Sequence, residues 1–261
     1  MSYNDAMKVT IHQAYFMPWL GYFSKLTFSD IFVVLDNVDF RKRHYFDRTK
    51  IVNMQGEIRW LGLPVGQNFK TKCNQVYINL SDKSYVDRII RTIELSYAQA
   101  RFFDAEWPRL RDVLRQPLDS KTNLVDINLD IVKSIMTFLE VEMPKIHLAS
   151  DLIENCTDPS ERIIRICNAV CAKSIVVGGG MSLMVHDWKE ITDQGINVYM
   201  QNYLEGHPIY KQSRRNRAGF QAGLSIIDAI LNVGSKQTLD FLTDKIYSPV
   251  FLDATDDVRT S

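Results

Sequence analysis

Acid–base chemistry near neutral pH needs a group that titrates there, and the chain carries five histidines. Two of them stand where loops begin. His12 follows the apolar KVTI and opens HQAYFMPWLGYF with Gln13 beside it, and His207 lies in EGHPIYKQ, just past INVYMQ. An imidazole at the end of a strand can act as a general base, or bind phosphate when protonated. The bland alternative is a core histidine satisfied by one hydrogen bond. His12 is read as the base, with His207 second. His147, inside an apolar run, and His186, beside Trp188, are read as structural.

Anion-binding groups come in two runs. RKRHYFDR supplies Arg41, Arg43, His44 and Arg48, with Lys50 close behind, and a later run supplies Lys211, Arg214, Arg215 and Arg217. Guanidinium forks suit phosphate and carboxylate. Such runs are ordinarily solvated loops; the sharper expectation is that they converge on a phosphorylated small molecule. VVGGGMSLM places Gly178, Gly179 and Gly180 between a strand and a helix, where backbone N–H groups can meet an anion. It matches neither the Walker nor the GxGxxG pattern, and a tight turn explains one or two of its glycines. Tyr15, Trp19 and Tyr203 would wall such a site, and Asp36, at the end of a strand, would take a sugar hydroxyl.

Other chemistries lack their residues. The formal net charge is +0, which gives no general attraction to nucleic acid or anionic membrane. Four cysteines, Cys73, Cys156, Cys167 and Cys171, make neither a disulfide framework nor a zinc spacing. No HExxH, EF-hand or serine-hydrolase elbow occurs, so no metal ligand is assigned. No window is long and apolar enough to span a membrane, and no signal peptide is read at the start, so the expected location is the cytoplasm.

These groups need a scaffold, and the pattern supplies one. KVTIH (8–12), a helix entered through Pro18, and IFVVLD (31–36) form a βαβ unit, which implies parallel strands. TKIVN and IRWLGLPV read as a hairpin, and QVYIN (75–79) as a further strand. The middle reads as helices near 84–97, 104–115 and 121–139. Alternation then resumes with KIHLAS (145–150), a helix from Pro159 through Ala172, SIVVG (174–178), a helix over 181–192, INVYMQ (196–201), and helices near 223–232 and 235–245. The expected fold is α/β: a mixed, partly parallel sheet flanked by helices, with Rossmann-like βαβ units at both ends and a helical middle segment. One domain over 8–235 is expected, with 8–80, 84–140 and 145–245 as conceivable sub-lobes and loose tails at 1–7 and 253–261.

The blocks IHQAYFMPWLGYFSKL, SDIFVVLDNVDFRKRHYFDRTKI, IRWLGLPV, RTIELSYAQARFF, GINVYMQNYLEGHPIYKQ and FQAGLSIIDAILNVG, in that order, resemble the WbqC-like family. The chain departs from the family pattern at Ala14, where proline is usual after His-Gln, and within VGGGMSLM, where Val177, Gly178 and Met184 replace the usual residues. The resemblance implies a place near bacterial surface-polysaccharide synthesis, such as that of O-antigen and lipopolysaccharide, among enzymes of nucleotide-linked amino sugars. It implies no fixed mechanism.

The leading expectation is therefore a transferase that moves an acyl or aminoacyl group onto the amine of a nucleotide-linked amino sugar. His12 would be its base, and Gln13 with the Gly179 or Gly180 N–H its oxyanion donors. Arg41, Arg43, Lys211 and Arg214 would hold phosphate. The donor would be acyl-CoA or an aminoacyl carrier, with aminoacyl-tRNA the single nucleic-acid partner in view. A nucleotide-using ligase or nucleotidyltransferase is one alternative, by analogy with enzymes carrying a HIGH-type motif, although Tyr22 stands where their second histidine would. A non-catalytic binding module of the polysaccharide pathway is another.

Overall fold

Strands that are apolar without alternation must be covered on both faces, and this chain covers them with helices. The computed structural model describes residues 7–66, 71–79, 81, 84–179, 181–216, 218–244 and 250–251. The first unit is β1 (Lys8–His12), α1 (Leu20–Thr27) and β2 (Ile31–Val34), followed by the hairpin β3 (Arg48–Val52) and β4 (Ile58–Gly62). Three helices, α2 (Tyr85–Tyr97), α3 (Phe103–Ser120) and α4 (Leu124–Phe138), form the middle segment. The second half runs β5 (Lys145–Leu148), α5 (Ala149–Leu152), α6 (Pro159–Ala169), β6 (Ser174–Gly178), α7 (Met181–Met184), α8 (Trp188–Asp193), β7 (Asn197–Gln201), α9 (Ile226–Thr243) and β8 (Val250–Phe251).

The main sheet has the order β5-β2-β1-β6-β7-β8. Its first five strands are parallel and β8 runs antiparallel to β7. The register sets His12 opposite Val34 and Gly178 opposite Gln201, so the loops after these strands leave from one edge. Because side chains alternate along β2, its four buried residues serve both layers. Ile31 and Val33 join Val9, Ile175 and Val177 beneath α6 and α8, whereas Phe32 and Val34 join Phe23 and Ile230 of α1 and α9. Helices α2, α3 and α4 share that second cluster.

Local chemistry explains most of the boundaries. Asn123 caps α4 by accepting from Val125 and Asp126 N–H, and Asp158 caps α6 likewise with Pro159 as its first residue. The two helices expected near 223–232 and 235–245 are the two arms of α9, which meet at Gly234, where the backbone is not helical. Gly234 has φ 85° and ψ 162°, a region that is essentially glycine-only, and a Cβ there would lie 2.9 Å from Phe102 Cδ1. Gly234→Ala is expected to destabilise the fold by about 1–3 kcal/mol, read as a lower urea midpoint; an unchanged midpoint would show that the bend relaxes without strain.

Several sequence expectations need correction. QVYIN is not a strand: Val65–Ile78 and Tyr77–Asn123 are isolated bridges, and Cys73–Gln75 is a 3-10 turn. Its period-two pattern arises because Val76 and Ile78 plug the core while Tyr77 faces solvent. α3 continues through Pro108 and Pro117 to Ser120, since burial of Trp107, Leu110, Leu114 and Leu118 along one face outweighs the hydrogen bonds the prolines remove. The helix expected over 181–192 is broken, because the Asp187 side chain accepts from Glu190 N–H and starts a new one. Pro18 lies before α1, whose N-cap is Trp19. The tails at 1–7 and 253–261 lie outside the described residues, Met7 excepted.

Candidate functional site

In an open α/β sheet the chain leaves one strand for opposite sides at a switch point, and a crevice opens beyond the strand ends there. Here the switch lies between β1, which is followed by β2 on one side, and β6 on the other. A cavity of about 350 Å³ sits at this place, reached by His12 from β1, Lys25 from α1, Gly178 and Gly179 from the end of β6, and Gln201 from β7. Trp19, Trp188 and Tyr203 give it aromatic walls. Trp19 is held across Gly21, whose added Cβ would lie 2.3 Å from the indole Cη2.

A second cavity of about 370 Å³ adjoins the first, with Leu35 lining both. It is lined by Gln13, the residue after His12, and by Arg41, His44 and Arg162. Consecutive residues at the end of β1 therefore serve two compartments, one aromatic and one basic.

The state of His12 follows from its surroundings. Its Nδ1 lies 3.0 Å from the Gln13 carbonyl, so the neutral ring carries its proton there and leaves Nε2 as the basic nitrogen. Tyr22 Oη donates to the same carbonyl at 3.0 Å, and the Tyr15 and Tyr22 rings meet the imidazole edge-on. Burial, then the charge of Lys25, lowers the His12 pKa well below its usual value. The imidazole is thus a neutral base at pH 7. Burial lowers His186, which also lines the cavity, and His44 as well.

The loops carrying these groups are fastened together. Phe16 N–H donates to Tyr45 O at 2.9 Å, and Asn128 Nδ2 donates to Ala14 O and Phe46 O, each at 2.8 Å. Asp47 accepts from the N–H groups of Arg43 and His44, holding the basic loop with Arg43 at φ 61°.

The other expected residues lie as follows. His207 stacks behind Trp19; its Nδ1 lies 3.0 Å from Pro208 O and its Nε2 accepts from Gly223 N–H, so both ring nitrogens are engaged outside the cavity. Asp36 accepts from Ser150 N–H and Oγ and from Asn74 Nδ2, tying the end of β2 to α5. Gly179 lines the cavity, but its N–H donates to Gln201 O. Gly180 and Arg217 lie outside the described residues.

The two basic runs line different cavities. Arg41 and His44 face the second cavity, whereas Lys211 and Arg215 line a third, of about 240 Å³. Arg214 and Arg215 donate to the carbonyls of Met54 and Gly56 in the β3–β4 turn, and Arg214 also to Ser96 O. Arg48 lies 3.9 Å above the Trp60 ring. Tyr15 packs behind His12, lining neither main cavity.

Sequence reasoning overlooked Lys25 and Arg162 and read His186 as structural; the folding of α1, α6 and the α7–α8 link brings all three to the cavities. Lys25 left a signal, because LGYFSKLT has no polar face to receive it, and every residue from Leu20 to Leu26 is buried. No group of three or more His, Cys, Asp or Glu fit to hold a metal occurs among the described residues. No described helix is long and apolar enough to cross a membrane.

Comparison with known proteins now has a geometry to attach to. The description "WbqC-like protein family" matches residues 13–239. The chain belongs to the WbqC-like family. It is 28% identical over 234 residues to "Uncharacterized protein Rv1507c" of Mycobacterium tuberculosis (strain ATCC 25618 / H37Rv), covering 88% of this chain and 95% of that protein. No solved structure matches it. The matched span of the WbqC-like family includes Gln13, Trp19, Lys25, Arg41, Arg162 and Gly178, and starts one residue after His12.

Proposed function

We propose that this WbqC-like protein is a cytoplasmic transferase that moves an acyl or aminoacyl group onto the amine of a nucleotide-linked amino sugar, in the synthesis of a bacterial surface polysaccharide. The observation that carries the reading is the pair of adjoining cavities served by His12 and Gln13. A sugar ring suits the aromatic compartment and a diphosphate suits Arg41 and Arg162. The bond joining ring to phosphate then passes Leu35. Neutral His12 Nε2 accepts the proton that the amine loses as its nitrogen bonds to the acyl carbon. The imidazolium then gives that proton to the leaving sulfur or ribose oxygen of the donor as the acyl bond breaks, releasing a thiol or a hydroxyl. Gln201 lines the space in which the oxyanion would form.

The same strand order, with a histidine ending β1, also favours a second reading: a nucleotidyltransferase that needs Mg²⁺ and releases pyrophosphate. Calorimetric titration with UDP, an amino sugar alone and a UDP-linked amino sugar tests the first. The linked compound is expected to bind, and Arg162→Ala to weaken it about tenfold, or roughly 1.4 kcal/mol. Binding indifferent to Arg162, or pyrophosphate release from a nucleoside triphosphate and a sugar phosphate, would turn the assignment to the second reading.

A further inference from the structure

A buried ammonium is costly unless an anion or hydrogen bonds compensate it. Lys25 is 7% exposed and lines the switch-point cavity. Burial alone pulls it down to about 8, with no carboxylate contributing. Among the described residues, its neighbours supply no anion. Ser24 Oγ donates to Leu242 O and accepts from Gln201 Nε2. Glu205 is the one acid lining the cavity among the described residues, and it accepts from Asn202 Nδ2. On the open side stands Gly178, where an added Cβ would lie 3.7 Å from Nζ. The missing side chain leaves a bay beside the ammonium.

We propose that the ring enclosed in this cavity carries a carboxylate seated on Lys25 Nζ, so that the substrate is an acidic, uronic-type sugar rather than a neutral one. The inference rests on the reading of the cavity as a sugar site. One cation among apolar and aromatic walls balances one negative charge. A phosphate dianion is better matched by the neighbouring compartment, which Arg41 and Arg162 both line and whose one acid among the described residues, Asp39, is paired with Lys72. His12 is kept neutral beside Lys25 and so adds no second positive charge.

The test compares UDP-glucuronic acid with UDP-glucose, which share the nucleotide and differ at the carboxylate. At pH 7 the acid is expected to bind at least about tenfold more tightly, the scale of a buried charge-assisted hydrogen bond. Lys25→Met should abolish that preference while leaving UDP-glucose unchanged. The variant should fold, since removing an uncompensated buried charge raises stability or leaves it alone. The preference should also fade as pH rises above about 8, because the other titratable cavity groups do not gain or lose charge in step with it: His12 and His186 are neutral well before, and Tyr22 is pushed upward by burial.

Equal binding of the two sugars by the unaltered protein, or a preference that survives Lys25→Met, overturns the carboxylate seat and leaves the transferase reading standing. If neither UDP-sugar binds, the nucleotide-sugar reading fails, and benzoate against benzamide still decides the seat. Benzoate bound selectively and lost in Lys25→Met keeps it; equal binding removes it. Inorganic phosphate displacing benzoate as well as a carboxylate does would overturn the choice of carboxylate over phosphate.

Discussion

His12→Ala is expected to lower kcat by about 10²–10⁴-fold, the usual worth of a positioned general base, while the affinity for the nucleotide-linked sugar changes little. Three features of one ring set this expectation. Its Nδ1 is fixed by Gln13 O, its Nε2 lone pair is left for a substrate proton, and burial with a nearby ammonium keeps it unprotonated at neutral pH. Titration and assay together check it. If kcat stays within a few-fold of the unaltered enzyme, His12 is a structural histidine and the reaction needs another base.

The pH profile sharpens that expectation. kcat/KM reports the free enzyme. It should rise as pH increases through the depressed His12 pKa, below 6.5, because only the neutral imidazole accepts a proton. It should then fall above about 8 as Lys25 loses its charge and an acidic sugar loses its seat. Lys25→Met should erase the alkaline limb and move the acid one toward higher pH, because burial alone then lowers His12 without the neighbouring ammonium. The unliganded protein should gain stability over the same range. A lysine depressed on folding binds fewer protons in the folded than in the unfolded state between about 8 and its ordinary value, so stability rises with pH across that window.

How much of this could be read from the chain depended on whether a feature was local. KVTIH, IFVVLD, SIVVG and INVYMQ announce buried parallel strands because both faces are covered, and His12 could be singled out because it ends one of them. The hairpin and the capped starts of α4 and α6 were equally local. What could not be read was who meets whom. Lys25 and Arg162 come from different halves of the chain and reach the site only because β6 inserts beside β1. Arg214 looked like a phosphate ligand by composition, yet its guanidinium binds the carbonyls of Met54 and Ser96, a choice set by tertiary packing. His207 stood at a strand end as His12 does, but its loop folds back so that both nitrogens meet backbone groups.

The largest stability effect is expected at a residue that touches no cavity. Asn128 is fully buried on α4, and its Nδ2 is the shared donor to Ala14 O, in the β1–α1 loop, and Phe46 O, in the basic loop. Replacing it with Leu keeps the branching of the side chain, with two bulkier methyl groups, and leaves two buried carbonyls without that donor. At about 1–3 kcal/mol for each unsatisfied group, the two carbonyls cost about 2–6 kcal/mol. This is partly offset, because Asn128 Oδ1, itself buried without a partner among the described residues, is removed. A net loss of about 2–4 kcal/mol should lower the melting midpoint on the order of 10 °C. Lost side-chain packing alone would leave the loops where they are. Lost fastening would not: the β1–α1 loop would retain the Phe16–Tyr45 and Thr49–Met17 bonds and the Tyr15 ring contacts with His44 and Tyr45 as its ties to this segment. Trypsin should then cut after Arg41, Lys42 or Arg43 in Asn128→Leu at temperatures where the bulk of the protein remains folded, and affinity for the diphosphate should drop with that cleavage. A variant that melts early yet resists trypsin at this loop until it melts would show that Asn128 supports the core and not the site.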